Sequence, residues 1–155
     1  MTEDQAKLDV AMIFAIRDHK KHSNDPKTKT CAAVVVNGIG AAMNTNVILH
    51  PEPATLSREE RLAFSLHCEV HALLSCTHVL GGTLYVTGTP CHECAKVIIT
   101  RGIMRVVIDH DEDPFYERLN APEYHFDWAF DLFTRYGVQV VRLSLANQCA
   151  EGPRD

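Results

Sequence analysis

Apolar residues near the N-terminus recur at helical spacing: Leu8, Met12, Ala15 and Ile16 share one face. Thr2 and Gln5 stand at capping-box spacing ahead of them, so a first helix is predicted over about residues 3–21. Its charged end, residues 19–22, reads as a solvated last turn. A polar loop with one proline follows over residues 23–30. The pattern then changes to a β-branched run at 31–36. Asn37-Gly38 comes next, the strongest two-residue hairpin signal, and a second strand is predicted over about 39–46. Two prolines between His50 and Ser57 exclude regular structure there. Arg58-Glu59-Glu60-Arg61 reads as an exposed turn of helix, with a phosphate contact by one of its arginines as the alternative.

The second half alternates. Residues 65–76 read as a helix, ended by Gly81-Gly82, and 83–87 as a strand. Pro90 precedes a helix over about 91–101 that Gly102 stops, and 104–109 is again a strand. Residues 111–124, polar and punctuated by prolines, form the longest predicted loop. Asp127 is expected to cap a helix bearing Trp128, Leu132 and Phe133, which Gly137 ends; 138–143 is the last strand and 144–155 a loose tail. The order α-β-β-α-β-α-β-α-β predicts one α/β domain over residues 1–155, its core at about 3–143. It would have three layers, α/β/α, around a mixed five-stranded sheet. The first two strands pair as a hairpin, and the last three, including the fourth and fifth, run parallel through right-handed crossovers.

Composition narrows the class. At 155 residues, 46% hydrophobic and 23% charged, the chain suits one ordinary globular domain. The net charge of −5 argues against a long nucleic acid as partner, whereas a single nucleotide needs only one or two cations. Residues 1–20 are amphipathic and interrupted by charges, so they read as neither a signal peptide nor a membrane span. The six cysteines show no disulfide framework, which fits a reducing, cytoplasmic setting.

The candidate chemistry lies in His67-Cys68-Glu69 and Pro90-Cys91-His92-Glu93-Cys94. Cys91 and Cys94, at i and i+3, put two sulfurs on one side of a helix start, where the helix N-terminus favours thiolates. His67 supplies a third ligand. Three protein ligands leave a tetrahedral zinc open to water, the catalytic rather than the structural arrangement. Zinc would lower the pKa of that water to about 7, and Glu69 would carry its proton to the substrate and on to the leaving amine. Three rival readings compete with it. A structural zinc site would recruit His92 or His71 as fourth ligand. A redox Cys-x-x-C would follow the first strand of its unit, and here it follows the third. A zinc-protease pair would need Glu directly after the first His, where Cys68 stands. The joint pattern His-x-Glu … Pro-Cys-x-x-Cys is the one described for zinc deaminases of nucleobases.

Together with residues 83–107 and with Trp128, Leu132-Phe133 and Tyr136-Gly137-Val138, these motifs resemble the cytidine/deoxycytidylate deaminase family, in particular its deoxycytidylate branch. The resemblance spans about residues 5–143 and implies the same three-layer fold. It implies zinc on His67, Cys91 and Cys94, with Glu69 as proton carrier. The Cys68 N–H would meet the base carbonyl, Asn44 the sugar or base, and Thr89 and Pro90 would lie beside the leaving amine. It also implies a small-molecule nucleotide or nucleobase substrate and a homo-oligomer. The chain departs from the family at Cys68, where Ala is usual, and at His71, where Asn is usual. It departs again at His78, where allosteric relatives carry Arg, and at residues 43–46, where a glycine-rich loop is not kept. Phe115 and Tyr116 are candidate aromatic walls, with core packing as the alternative. The expected reaction is conversion of deoxycytidine monophosphate, or a related cytosine nucleotide or nucleoside, to the uracil product plus ammonia. The alternatives are deamination of guanine, adenosine or another amino-heterocycle, and a non-catalytic zinc-stabilised binding domain, which an intact Glu69 argues against.

Overall fold

Asn37 and Gly38 both take positive φ, 51° and 75°, as the tight turn of a two-residue hairpin requires. The turn joins β1 (Cys31–Val36) to β2 (Ile39–Thr45). The computed structural model describes residues 1–146. Before the hairpin lies α1 (Glu3–His19), capped by the Thr2 hydroxyl and ending in a 3-10 turn, Lys20–His22. After it come β3 (Val47–Ile48), α2 (Arg58–Phe64), β4 (Ser65–Leu66) and α3 (Cys68–Leu74). The chain then alternates: β5 (Thr83–Val86), α4 (His92–Thr100), β6 (Arg105–Asp109), α5 (Phe126–Arg135) and β7 (Gln139–Leu143).

The main sheet has the order β2-β1-β5-β6-β7. β1 is antiparallel to both β2 and β5, while β5, β6 and β7 are parallel. This is the mixed five-stranded sheet that the pattern predicts. Both crossovers step the same way across it, so right-handed connections put α4 and α5 on one face. Strand alternation sorts the core accordingly. Ala32, Val34, Leu84, Val86, Val106 and Ile108 meet residues of α3, α4 and α5. Ala33, Val35, Tyr85 and Val107 face Ile13 and Ile16 of α1.

The direction of β1 fixes where function can sit. Because β1 opposes β5, the start of β1 and the end of β2 share a sheet edge with the carboxyl ends of β5, β6 and β7. That edge is where ligands bind in open α/β sheets.

Several local expectations are corrected. Ser65 and Leu66 do not open a helix: they pair antiparallel with Ile48 and Val47, and the helix starts at Cys68. A two-residue pairing leaves no periodic trace in sequence. β2 ends at Thr45, the 50–57 stretch holds one 3-10 turn (Pro53–Thr55), and Cys91 caps α4 rather than lying inside it. Asp127 does not cap α5. His125 does, in a left-handed conformation at φ 46°, so Asp127 falls in the first turn. Residues 144–146 are not loose: Ser144 Oγ and the Leu145 and Ala146 N–H groups donate to Asp111. The remainder of the expected tail, 147–155, lies outside the described residues. Among those described, no helix is long and apolar enough to cross a membrane.

Two bidentate ion pairs dock α1. Arg17 of α1 grips Asp109 of β6 at 2.6 and 2.7 Å, and Arg105 of β6 grips Asp9 of α1 at 2.8 and 2.6 Å. Burial pushes the Asp9 carboxyl up, but hydrogen bonds from Arg105, Tyr85 and Gln5 more than offset it and hold it below its usual value. Removing the charge would leave Arg105 half-buried and unpaired. Asp9→Asn is therefore expected to lower the unfolding free energy by about 3 kcal/mol at pH 7, read by urea denaturation. Because the folded-state value is depressed, the Asp9 contribution is fully present above the ordinary carboxylate value and fades as pH falls through the lowered one. The gap between variant and parent should therefore close in acid.

Candidate metal centre and its cavity

His67, Cys91 and Cys94 converge at the sheet edge just described. His67 is the residue ahead of α3 and keeps extended backbone, at φ −67° and ψ 147°. Cys91 likewise precedes α4, at φ −74° and ψ 171°, with Cys94 one turn in. Two helix starts thus aim at one point. His67 Nδ1 lies 3.2 Å from Cys94 Sγ and 3.5 Å from Cys91 Sγ. All three ligand atoms fall within 4.8 Å of one another. Nitrogen and sulfur bound tetrahedrally to one zinc ion, at about 2.0 and 2.3 Å, stand about 3.5 Å apart, so the cluster fits zinc with little adjustment.

Electrostatics agree with that donor set. The neighbouring Cys94 thiol and His67 pull the Cys91 thiol well down against the opposing effect of burial. The same sulfur raises the His67 imidazole, while Cys91 and burial raise Cys94. One thiolate is therefore ready in place, and a dication would favour the second. Neither rival fourth ligand joins the cluster. His92 turns Nδ1 to the Tyr124 carbonyl at 3.2 Å, and His71 turns Nδ1 to the Thr45 carbonyl at 2.8 Å.

A cavity of about 170 Å³ opens onto the cluster, lined by His67, Cys68, Glu69, Thr89 and Cys91 on its inner side. Glu69 is buried, and burial pushes its carboxyl above the usual carboxylate range, with His67 pulling partly back. The Cys68 thiol donates to Glu69 Oε2 at 3.4 Å. Phe115, Tyr124 and Phe126 form an aromatic wall with ring centroids 5.2 to 5.8 Å apart. Lys27, Arg58, Arg61 and Arg118 line the outer part, three of them exposed and Arg61 half-buried.

The match to a known family follows from the same residues. Residues 5–110 fit the model of the cytidine and deoxycytidylate deaminase zinc-binding region. The chain belongs to this family. Deaminases of the family are zinc-dependent hydrolases of C–N bonds, and residues 5–110 include all three ligands of the cluster. Among curated relatives, the chain is 26% identical to Homo sapiens deoxycytidylate deaminase over 128 residues, 75% of this chain and 72% of that protein. It is 29% identical over 127 residues to an uncharacterized deaminase of Aliivibrio fischeri, covering 79% and 84% of the two chains. The crystal structure of a dCMP deaminase from the cyanophage S-TIM5, in complex with dCMP and dUMP, shares the fold. Its TM-score is 0.66 at 22% identity, over 92% of this chain and 99% of that one.

Within this deaminase fold, the expected site residues divide. His67, Cys68, Glu69, Thr89 and Cys91 line the cavity, and Cys94 completes the metal cluster behind it. Asn44 does not line the cavity. It sits inside β2 and spends its amide on the His71 carbonyl at 3.3 Å and Ser75 Oγ at 2.7 Å, on α3. Asn46, just past the strand end, lines the cavity instead and holds Thr30 N–H and the Thr28 carbonyl, both at 2.8 Å. Pro90 is buried beside the site without lining it. Phe115 is a wall residue, whereas Tyr116 is 45% exposed and packs edge-on against His110. Sequence reasoning missed Asp25, Lys27, Thr28, Asn46, Arg118, Tyr124 and Phe126 among the lining residues. The available signal was topological: the loops before β1, after β2 and after β6 must reach the edge where β5 ends.

The protein is expected to carry close to one zinc per chain by plasma mass spectrometry. Cys91→Ala should reduce that to a small fraction of the parent value, because two ligands hold the ion far less tightly than three.

Proposed function

We propose that this protein is a hydrolytic deaminase of a cytosine nucleotide, deoxycytidine monophosphate first among them. It would convert this substrate to its uracil counterpart with release of ammonia. The observation that carries the reading is the buried Glu69 carboxylate beside the His67–Cys91–Cys94 cluster, at the inner end of a cavity whose outer part is cationic. Zinc, when bound, supplies a water that is nucleophilic near neutral pH, its pKa lowered to about 7.

The chain's own residues do the rest. Glu69 takes up a proton from the attacking water and hands it to the ring nitrogen beside the amino-bearing carbon. It then moves the remaining proton to the departing amine, which leaves as ammonia. Burial, by raising the proton affinity of Glu69, suits a group that must hold a proton between two transfers. The Cys68 N–H, first in its helix, has no acceptor within that helix and is free to donate to the base carbonyl. Phe115, Tyr124 and Phe126 offer faces to a planar heterocycle and keep bulk water away.

The outer cations support a phosphorylated substrate. Lys27, Arg58, Arg61 and Arg118 gather on one cavity of a chain whose net charge is −5. Guanidinium groups suit the oxygens of a phosphate. The human relative, a deoxycytidylate deaminase, and the cyanophage dCMP deaminase bound to dCMP and dUMP point to the same nucleotide.

Glu69→Gln should keep close to one zinc per chain while ammonia release falls by about 10²-fold or more. Undiminished turnover would remove Glu69 from the mechanism. The substrate is read on a panel of dCMP, CMP, deoxycytidine, cytosine, guanine and adenosine, followed by ultraviolet absorbance and ammonia. Fastest turnover of dCMP is expected, and no product from any cytosine compound would defeat the reading.

A further inference from the structure

Three acidic residues open the loop after β6, and one is withdrawn from solvent. The Asp113 side chain is 0% exposed, against 23% for Asp111 and 41% for Glu112. Four donors converge on its carboxylate. The Thr89 and Phe115 N–H groups both donate to Oδ1 at 3.0 Å. The Thr89 hydroxyl and Arg142 Nη1 donate to Oδ2, the latter at 3.0 Å. Arg142 closes the triangle with Nη2 donating to Thr89 Oγ1 at 2.8 Å. The guanidinium is itself held near two rings, 5.3 Å from the Tyr116 centroid and 5.8 Å from that of Phe130.

Arg142 stands in the otherwise apolar end of β7, an unusual place for a charge. A buried ion pair adds little net stability over apolar packing of the same volume, but losing one partner leaves the other uncompensated. What this pair adds is direction. Thr89 and Phe115 both line the cavity, yet they come from different loops, and one carboxylate ties them together. The Phe115 ring lies so close to Gly88 that a Cβ there would fall 3.0 Å from its Cε2. Gly88 therefore leaves the space that the ring occupies. Neither Asp113 nor Arg142 lines the cavity itself.

We propose that Asp113 and Arg142 are positioning residues of the deaminase site. By tying Thr89 to the Phe115 segment, they hold the Phe115 ring in the cavity wall, where it packs against the substrate heterocycle. This rests on reading the cavity as the place where that heterocycle binds. Without Arg142 the Asp113 charge is uncompensated and is drawn toward water, and the Phe115 segment follows it. Substrate then loses the same contact in the ground and transition states, which raises KM and spares kcat.

The test compares the parent protein with Arg142→Met, Arg142→Lys and Gly88→Ala. Zinc content and amide hydrogen exchange over residues 111–118 are measured first, without substrate. Kinetics follow on whichever compound of the panel is turned over. In Arg142→Met, exchange should quicken in that segment with zinc unchanged, and KM should rise about 10-fold or more while kcat stays within about threefold. Arg142→Lys should recover part of the loss, since one ammonium cannot reproduce the forked contacts. Gly88→Ala displaces the same ring without touching the ion pair. It should raise KM alike, and the double variant should be no worse than either single one. Unchanged exchange overturns the proposal, as does an unchanged KM with a lowered melting temperature, or a fall in zinc and kcat together. Absence of turnover on every cytosine compound would instead defeat the substrate reading. The proposal would then be decided by the exchange measurement and by KM for whichever other heterocycle reacts.

Discussion

β1 runs against β5, while β6 and β7 run with it. The rest of the molecule depends on this directional constraint. It brings the loop before β1, the turn after β2 and the loops after β5 and β6 to one sheet edge. Two helices then begin at that edge, with His67 and Cys91 still in extended backbone as the chain enters them. A side chain at such a junction points forward from the helix start rather than along its flank. That is how residues 24 and 27 positions apart come within 3.5 and 3.2 Å.

Much of this was legible in the sequence because it has a period or a punctuation mark. Strand alternation, Asn37-Gly38 and the helix spacing of α1 are strong local signals, and β1 falls on the residues expected. The parallel run of the last three strands follows from their alternation with helices. The metal cluster was legible because Cys-x-x-C, His-x-Glu and the intervening proline constrain one another. What was hidden depends on pairs of distant groups. The Ser65–Leu66 pairing with β3 is too short to leave a pattern. That Asn46 rather than Asn44 lines the cavity turns on where β2 ends, a matter of one residue. The Asp113–Arg142 pair joins positions 29 apart and reads in sequence as a stray acid and a misplaced base.

Charge is distributed with the same economy. The chain is acidic as a whole, yet four cations line the cavity that reaches the metal cluster. Three acids reach the interior paired with an arginine: Asp9 with Arg105, Asp109 with Arg17, Asp113 with Arg142. Glu69 is the contrast. Its burial outweighs the partial pull of His67, and its proton affinity rises in consequence. A carboxyl left in that condition beside a metal cluster suits the proton transfer proposed for it.

The central claim is an open, three-ligand zinc centre, and X-ray absorption at the zinc edge of the purified protein addresses it directly. The account predicts two sulfurs at about 2.3 Å and two nitrogen or oxygen atoms at about 2.0–2.1 Å, one of them exchangeable on adding a substrate analogue. A third sulfur, or a fourth protein ligand that no analogue displaces, would contradict it and mark the site as structural.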